Sequence, residues 1–200
     1  MFPWGGQMVA ALDRFLPAPD VRERYAVQVR APAEFVFSVA RQFDLQSVPL
    51  VRAIFWLRAK VMRARGDATR TVPRLDTAGL LCLGWGVLAE ESGRLVVAGA
   101  VCRPWQADVV FTPLSADRFA TYNEPGFVKI AWTLEAEPFA PGRARLATET
   151  RAAGTDPAAR QKFRQYWRWA RVGIIAIRWL VLPAIRREAE RRWGSGQRAA

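Results

Sequence analysis

The chain has 200 residues, of which 51% are hydrophobic, a net charge of +12, two cysteines and no histidine. This length fits one domain with its own core, and the apolar content excludes a chain that is disordered throughout. A disulfide framework, a Cys/His zinc site and every Ser-His or Cys-His catalytic pair are also excluded. We therefore predict no metal, no cofactor and no catalytic residue, and the sequence favours a binding protein over an enzyme.

The positive charge is concentrated near the carboxyl terminus. Residues 156–200 hold 11 Arg and Lys against three acids, which accounts for +8 of the +12. Basic clusters attract polyanions, so weak contact with an anionic membrane surface remains open, as does nucleic acid without sequence specificity. Solvated arginines beside a packed apolar stripe are the commoner explanation. Six arginines are expected to form such a rim: Arg160, Arg164, Arg168, Arg171, Arg186 and Arg187.

The amino terminus carries no basic region followed by a signal-type apolar core, so we expect a cytoplasmic protein. We predict an amino-terminal segment over residues 1–20, one domain over 21–192 and a flexible tail over 193–200.

The first half of the domain changes its period from two to about 3.6. Residues 22–30 alternate apolar and polar side chains, which predicts a half-buried strand. A helix is expected after Pro32, and a second over 48–62. Residues 63–77 have no clear period and are predicted to form a loop.

The second half is predicted to be rich in antiparallel strands. Residues 80–91 and 94–105 form one expected hairpin around Ser92 and Gly93, and residues 127–138 and 143–154 form another around Pro141 and Gly142. Short strands are expected at 108–112 and 118–121. A two-residue loop in the first hairpin places Cys82 opposite Arg103, whereas a bulge places it opposite Cys102. Both cysteines are predicted to be reduced and buried.

A long helix is predicted to begin at Pro157. Its apolar run is about 13 residues long and contains Arg178 and Pro183, so it is shorter than the ~20 residues of a transmembrane helix. One stripe of residues at spacings of three and four is expected to face a single partner surface. The stripe consists of Phe163, Trp167, Ala170, Ile174, Ile177, Val181 and Ala184.

The order of these elements resembles the helix-grip fold of the START-like superfamily, also called SRPBCC, which includes polyketide cyclases and lipid-transfer domains. A similarity to a bacterial branch covers about residues 10–192 and rests on LAEESGRLVVAGAVCRPW, FATYNEPGFVKIAWTLEAEP, ATETRAAGTDPAARQKFRQYWR and AIRREAE, together with residues 11–58. The resemblance implies an α+β fold with a curved antiparallel sheet of about six or seven strands. The sheet would be wrapped on the last helix, kinked or broken near Val172 and Gly173 or at Pro183, with two short helices after the first strand.

The resemblance also implies a cavity between the sheet and the last helix that takes a hydrophobic small molecule. The expected ligand-binding residues are Val128, Ile130, Trp132, Leu146, Thr148, Thr150, Tyr122, Trp167, Ala170, Ile174, Ile177 and Val181. The two strand threonines or Tyr122 would orient a polar end of the ligand. As alternatives, Thr148 and Thr150 are good strand formers satisfied by neighbours, and the tryptophans form solid core.

Three functional hypotheses follow. The first is a carrier of a lipid-like or polyketide-like molecule, the second a cyclase-like or hydrolase-like enzyme, and the third a peripheral membrane or nucleic-acid protein. Glu90, Arg103 and Asp108 are candidate catalytic groups, but surface charge explains them more simply. Glu149 with Arg145 or Arg151 is predicted to be a solvated strand face. Residues 2–16, a second subunit in a homodimer, or a membrane are the candidate covers for the second apolar face of the long helix.

Overall fold

The computed structural model of the chain describes residues 11–63 and 74–199. The strands are β1 (Val21–Val29), β2 (Gly86–Glu91), β3 (Leu95–Cys102), β4 (Val128–Ala140) and β5 (Arg143–Gly154). The helices are α1 (Ala33–Gln42), α2 (Pro49–Met62), α3 (Thr77–Cys82), α4 (Ala116–Thr121) and α5 (Pro157–Ala199), with a 3-10 turn over Leu45–Ser47. The strands form an antiparallel sheet in the order β1-β5-β4-β3-β2, which confirms the α+β class.

The elements predicted from periodicity agree closely with the structure. The first strand, the two helices after it and the β4–β5 hairpin all lie where the sequence predicts them. Pro49 occupies the first turn of α2, where its missing amide hydrogen costs nothing, and Arg63 ends that helix in the left-handed region with φ of 53°. Strong amphipathic patterns therefore sufficed for these elements.

The number of strands differs from the prediction, since the sheet described has five strands and not six or seven. Residues 80–82 end helix α3, whose first turn is capped by Asp76 accepting a hydrogen bond of 2.9 Å from the Gly79 amide. Residues 118–121 belong to helix α4, and within 108–112 Thr112 forms an isolated bridge with Val101. Short apolar runs are compatible with a strand or a buried helical turn, which explains both errors.

The two cysteines have different environments. Cys102 lies in β3 and is buried, and burial raises the pKa of its thiol to about 12. Cys82 ends α3 and is exposed, so its predicted burial is wrong. Strand β2 begins at Gly86, beyond Cys82, and therefore neither predicted pairing of Cys82 forms.

Helix α5 has 43 residues and continues through Val172 and Gly173 without the expected break. It also includes residues 193–199, which the domain prediction placed in a tail. Gly173 permits a close approach of α2, since a Cβ there would lie 3.1 Å from Ile54 Cγ2. The stripe from Phe163 to Val181 packs against the sheet, as predicted. None of the described helices is long and apolar enough to cross a bilayer.

The outer face of the sheet, opposite α5, is sealed by residues 11–16 and by α4. Leu12, Phe15 and Leu16 are buried against Val97, Phe119 and other outer-face residues. The predicted solvated strand face is therefore wrong, because Glu149 is 0% exposed and Arg151 is 1% exposed. Residues 2–16 were a candidate cover for α5. Residues 11–16 instead lie on the outer face of the sheet, and residues 2–10 lie outside the described residues.

Candidate ligand-binding groove

The inner face of the sheet is incompletely covered in the middle of β4 and β5. Ile130, Trp132, Thr148 and Thr150 point toward α5 and are partly exposed. Strand β5 lies between β1 and β4, and its outward neighbour Glu149 is fully buried. The exposed parts of the two threonines must therefore face the helix. We call this region, with Tyr25 of β1 and Ile174, Ile177 and Arg178 of α5, the inner groove.

Packed clusters close the two ends of the inner groove. At one end Phe163 and Ala170 of α5 pack with Val128 and Ala152 of the sheet. At the other end Leu146 is fully buried in a cluster that contains Val181, Leu182 and Ile185 of α5. The sheet and helix are therefore closely packed at both ends, and in between Arg178 of α5 reaches across to Thr150 of β5.

Arg178 supplies the positive charge of the inner groove. Its Nη2 donates a hydrogen bond to Thr150 Oγ1, and its guanidinium carbon lies 5.6 Å from the ring centre of Tyr25. Its Nε is shielded from solvent and has no hydrogen-bond partner, and no carboxylate pairs with this side chain in the part of the chain that the structure describes. Burial lowers the pKa of the guanidinium, although an arginine stays charged at any physiological pH.

Tyr25 and Glu23 lie beside that charge on the edge strand β1. The Tyr25 hydroxyl donates to Glu23 Oε2 at 3.0 Å. Burial, and then this bond, raises the pKa of Tyr25, so the phenol remains a hydrogen-bond donor at neutral pH. A phenol held in this state favours binding over proton abstraction.

Aromatic side chains line the β4 side of the inner groove. The ring centre of Trp132 is 6.1 Å from that of Trp85, which stacks on Phe111 at 4.9 Å. Gly84 allows this stack, because its φ is +100° and a Cβ there would lie 2.2 Å from the carbonyl oxygen of Phe111. The loop after β3 is thereby held against the residue that precedes β2.

Most of the residues predicted to bind ligand lie between the sheet and α5. Val128, Leu146, Ala170 and Val181 belong to the closed ends of the inner groove, and Trp167 packs beside Phe163 with ring centres 5.8 Å apart. The others line its open middle, apart from Tyr122. The partly exposed set is Ile130, Trp132, Thr148, Thr150, Ile174 and Ile177.

Tyr122 is not brought together with the other predicted residues. It follows α4, packs with the outer-face cluster, and donates a hydrogen bond of 3.3 Å to Glu124. Sequence reasoning also missed Tyr25, Arg178, Trp85 and Phe111. For Arg178 a signal existed, since a lone arginine within an apolar helical run is expensive to bury without a purpose.

The charged residues considered as catalytic candidates lie apart from the inner groove. Glu90 pairs with Arg41 at the surface, and Arg103 Nε donates to the Gly126 carbonyl at 3.1 Å while its guanidinium lies over Phe127. Asp108 is exposed in the loop after β3. Among the residues that the structure describes, no group of three or more His, Cys, Asp or Glu could hold a metal ion.

Two surface depressions lie along α5, outside the inner groove. One, of about 460 Å³, follows the helix between Pro157 and Arg168, and the other, of about 310 Å³, lies between the ends of α2 and α5 beside Trp105 and Trp169. Both are open to solvent. Neither depression lies between the sheet and α5, where the sequence predicted an enclosed cavity.

No family model and no curated protein sequence matches the chain. Among solved structures, the Zhui aromatase/cyclase from Streptomyces sp. R1128 is similar over 86% of this chain and 94% of that protein, at 18% identity and a TM-score of 0.26. A likeness at this TM-score carries no argument about function.

Proposed function

We propose that this protein binds or carries an elongated amphipathic molecule, lipid-like or polyketide-like, that is apolar along its length and anionic at one end. The apolar part lies between the inner face of the sheet and α5. The anionic end, a carboxylate for example, pairs with Arg178.

The unpartnered Nε of Arg178 carries this proposal. The Nε of Arg178 is shielded from solvent and unbonded, and although Glu23 attracts the guanidinium it forms no ion pair with it, so a ligand carboxylate would add a closer negative charge and the missing hydrogen bond. Thr150 and Tyr25 hold the guanidinium in place from the sheet side. Trp132 and Ile177 offer apolar surface next to it, where burial contributes ~25 cal/mol per Å² removed from water.

The chemistry of the groove supports binding more directly than catalysis. Tyr25 stays protonated at neutral pH, and the other charged candidates lie elsewhere on the fold. A carrier needs apolar surface and one fixed polar contact, and both are present among the residues of the inner groove.

The test compares a long-chain fatty acid with its methyl ester, measured by calorimetry and by quenching of tryptophan fluorescence. Wild-type protein should bind the acid at least tenfold more tightly, since hydrogen bonds to a charged group contribute about 1.5–3 kcal/mol. The Arg178→Met variant should lose that preference and keep its fold. Native mass spectrometry of freshly purified protein should show a bound acidic lipid.

The matched control is Arg160→Met, since Arg160 lies on the same helix with its side chain 52% exposed. This variant should keep the preference for the acid. Equal binding of acid and ester by wild-type protein would contradict the role of Arg178. Failure of a panel of fatty acids, isoprenoids and polyketides to bind at all would overturn the carrier function.

A further inference from the structure

Large apolar side chains are exposed along α2 and along the side of α5 that points away from the sheet. Seven of them have between 44% and 70% of their surface exposed, and one of the seven is Trp56 of α2. The other six are Leu50, Leu57 and Val61 of α2, and Trp169, Val172 and Trp179 of α5. Isolated exposed apolar residues are ordinary, but a contiguous group of this size marks a surface that meets a partner. We call these six residues the docking face.

The exposed apolar residues of α2 lie beside those of α5. Ile54 meets α5 at Gly173, and Leu50, Leu57 and Val61 are four, three and seven residues from Ile54, so they border the same seam. Met62 and Trp169 line one depression, which shows that the end of α2 lies against the amino-terminal half of α5. On α5 the exposed residues at 169, 172 and 179 recur at helical spacing, opposite the stripe that packs on the sheet.

The charge around the docking face has one sign. Residues 49–62 and 157–187 contain eleven Arg and Lys and no Asp or Glu. Lys60, Arg168 and Arg171 are exposed among or beside the apolar residues, and Lys60 Nζ lies 4.9 Å from the ring centre of exposed Trp56. Exposed tryptophan and aliphatic side chains bordered by cations complement a bilayer surface that carries anionic headgroups.

We propose that the docking face binds the surface of an anionic lipid bilayer, with Trp179, Val172 and Leu57 entering the headgroup region and the neighbouring cations contacting lipid phosphates. A second copy of the chain fits poorly, because a twofold interface would set this cationic patch against itself. Nucleic acid accounts for the cations but not for the exposed Leu and Val side chains. This proposal is independent of Arg178 and the inner groove.

The experiment is sedimentation of the full chain with vesicles of pure phosphatidylcholine and of a 7:3 mixture of phosphatidylcholine and phosphatidylglycerol. Wild-type protein should bind the anionic vesicles at least tenfold more tightly. Part of that binding should survive 0.5 M NaCl, where contact through cations alone is screened. Brominated lipids should quench tryptophan fluorescence, and the Trp179→Phe variant should be quenched less.

Two sets of variants test the two components separately. The double variant Leu57→Ser and Trp179→Ser should lose at least tenfold in affinity for anionic vesicles and all binding at high salt. The variant Arg168→Gln and Arg171→Gln should lose about fivefold per charge at low salt and keep the salt-resistant part. Phe139→Ser is the matched control, since Phe139 is 41% exposed on the β4–β5 hairpin, and it should bind like wild type.

Several outcomes would overturn the proposal. They are equal binding to neutral and anionic vesicles, unchanged binding by the Leu57→Ser and Trp179→Ser variant, and tighter binding to nucleic acid than to vesicles. If light scattering shows that wild-type protein is a dimer and that the Leu57→Ser and Trp179→Ser variant is a monomer, the docking face binds a second copy of the chain. Unchanged circular dichroism and melting temperature of each variant establish that lost binding is not lost folding.

Discussion

The more polar face of the sheet is the buried one, and the less polar face is partly exposed. In the middle of β4 and β5 the outward residues Thr133, Glu135 and Glu149 are at most 1% exposed. The inward residues Trp132 and Thr148, on the same strands, are partly exposed. The polar side is therefore the sealed one, and the less polar side opens toward a groove.

Around Glu149 the outer face tolerates burial because the charges there are paired. Glu149 lies 2.8 Å from Arg22 Nε and 2.7 Å from Arg151 Nε, and Arg151 also donates to the Leu16 carbonyl at 2.8 Å. On the inner face the single guanidinium of Arg178 has a threonine and an aromatic ring in place of a carboxylate. The paired charges around Glu149 stabilise the fold, whereas the unbonded Nε of Arg178 is the point at which the proposed ligand would bind.

The largest effect is expected from breaking the outer network. Arg151→Met should lower the free energy of unfolding by about 3–5 kcal/mol, because it removes one partner of a buried pair and leaves Glu149 with less compensation. Urea denaturation followed by circular dichroism measures this. Arg41→Met is the control, since its side chain is 38% exposed and pairs with Glu90 at the surface, and it should cost about 1 kcal/mol or less. Similar losses in both variants would contradict the contrast.

The next effect comes from the cover over the outer face. Leu12 is fully buried against the sheet, so Leu12→Ala should cost about 2–4 kcal/mol through lost contact and a residual cavity. Leu57→Ala, at a position that is 54% exposed, should change stability by no more than about 0.5 kcal/mol. Denaturant midpoints of the two leucine variants separate these cases. A loss below about 1 kcal/mol for Leu12→Ala would mean that residues 11–16 do not seal the sheet.

The sequence alone predicted the main strands, the two helices after β1 and the long helix α5, but not helices α3 and α4 or the segments that cover the sheet. Alternation in β1, β4 and β5 showed which residues share a face, and the spacing in α5 identified the stripe that meets the sheet. Periodicity reports a difference between two faces, but it does not report what packs on each of them. The bond from Arg151 to Asp13 joins residues 138 positions apart, which no local pattern encodes.

The candidate site was predictable in its apolar part for the same reason. Ile174 and Ile177 follow from helical spacing, and Thr148 and Thr150 follow from alternation in β5. Arg178 lies next to the stripe, and whether it turns to solvent or to the sheet depends on the position of Tyr25 and Thr150 in the folded chain. Its role therefore required the three-dimensional arrangement.

Thr133 on the outer face and Thr148 on the inner face allow the stability cost of the same substitution to be compared between the two faces. Thr133 Oγ1 accepts a hydrogen bond of 3.0 Å from the buried Glu149 amide, so Thr133→Val should cost about 1–2 kcal/mol. Thr148 is partly exposed opposite Tyr25 and Leu134, and Thr148→Val should stay within about 0.5 kcal/mol of wild type. Thermal and urea unfolding measure both. The reverse order of these two losses would show that the inner face is the one held by polar contacts.

The smallest effect has the opposite sign and depends on pH. Glu135 is buried on the outer face, its Oε1 accepts no hydrogen bond within the described chain, and Arg94 Nη2 lies 3.8 Å away. Burial raises the pKa of this carboxyl above its ordinary value of 4.5, so the free energy of unfolding falls as the pH rises above about 4.5, and this loss is complete once the pH exceeds the pKa in the folded state. Glu135→Gln should therefore stabilise the protein by about 1 kcal/mol at pH 8 and have almost no effect near pH 4, where the carboxyl is protonated in both states. Urea denaturation across this pH range measures the difference. Glu91→Gln, which removes an exposed partner of the same arginine, should give no gain that grows with pH, and a gain as large as that of Glu135→Gln would remove burial as the cause.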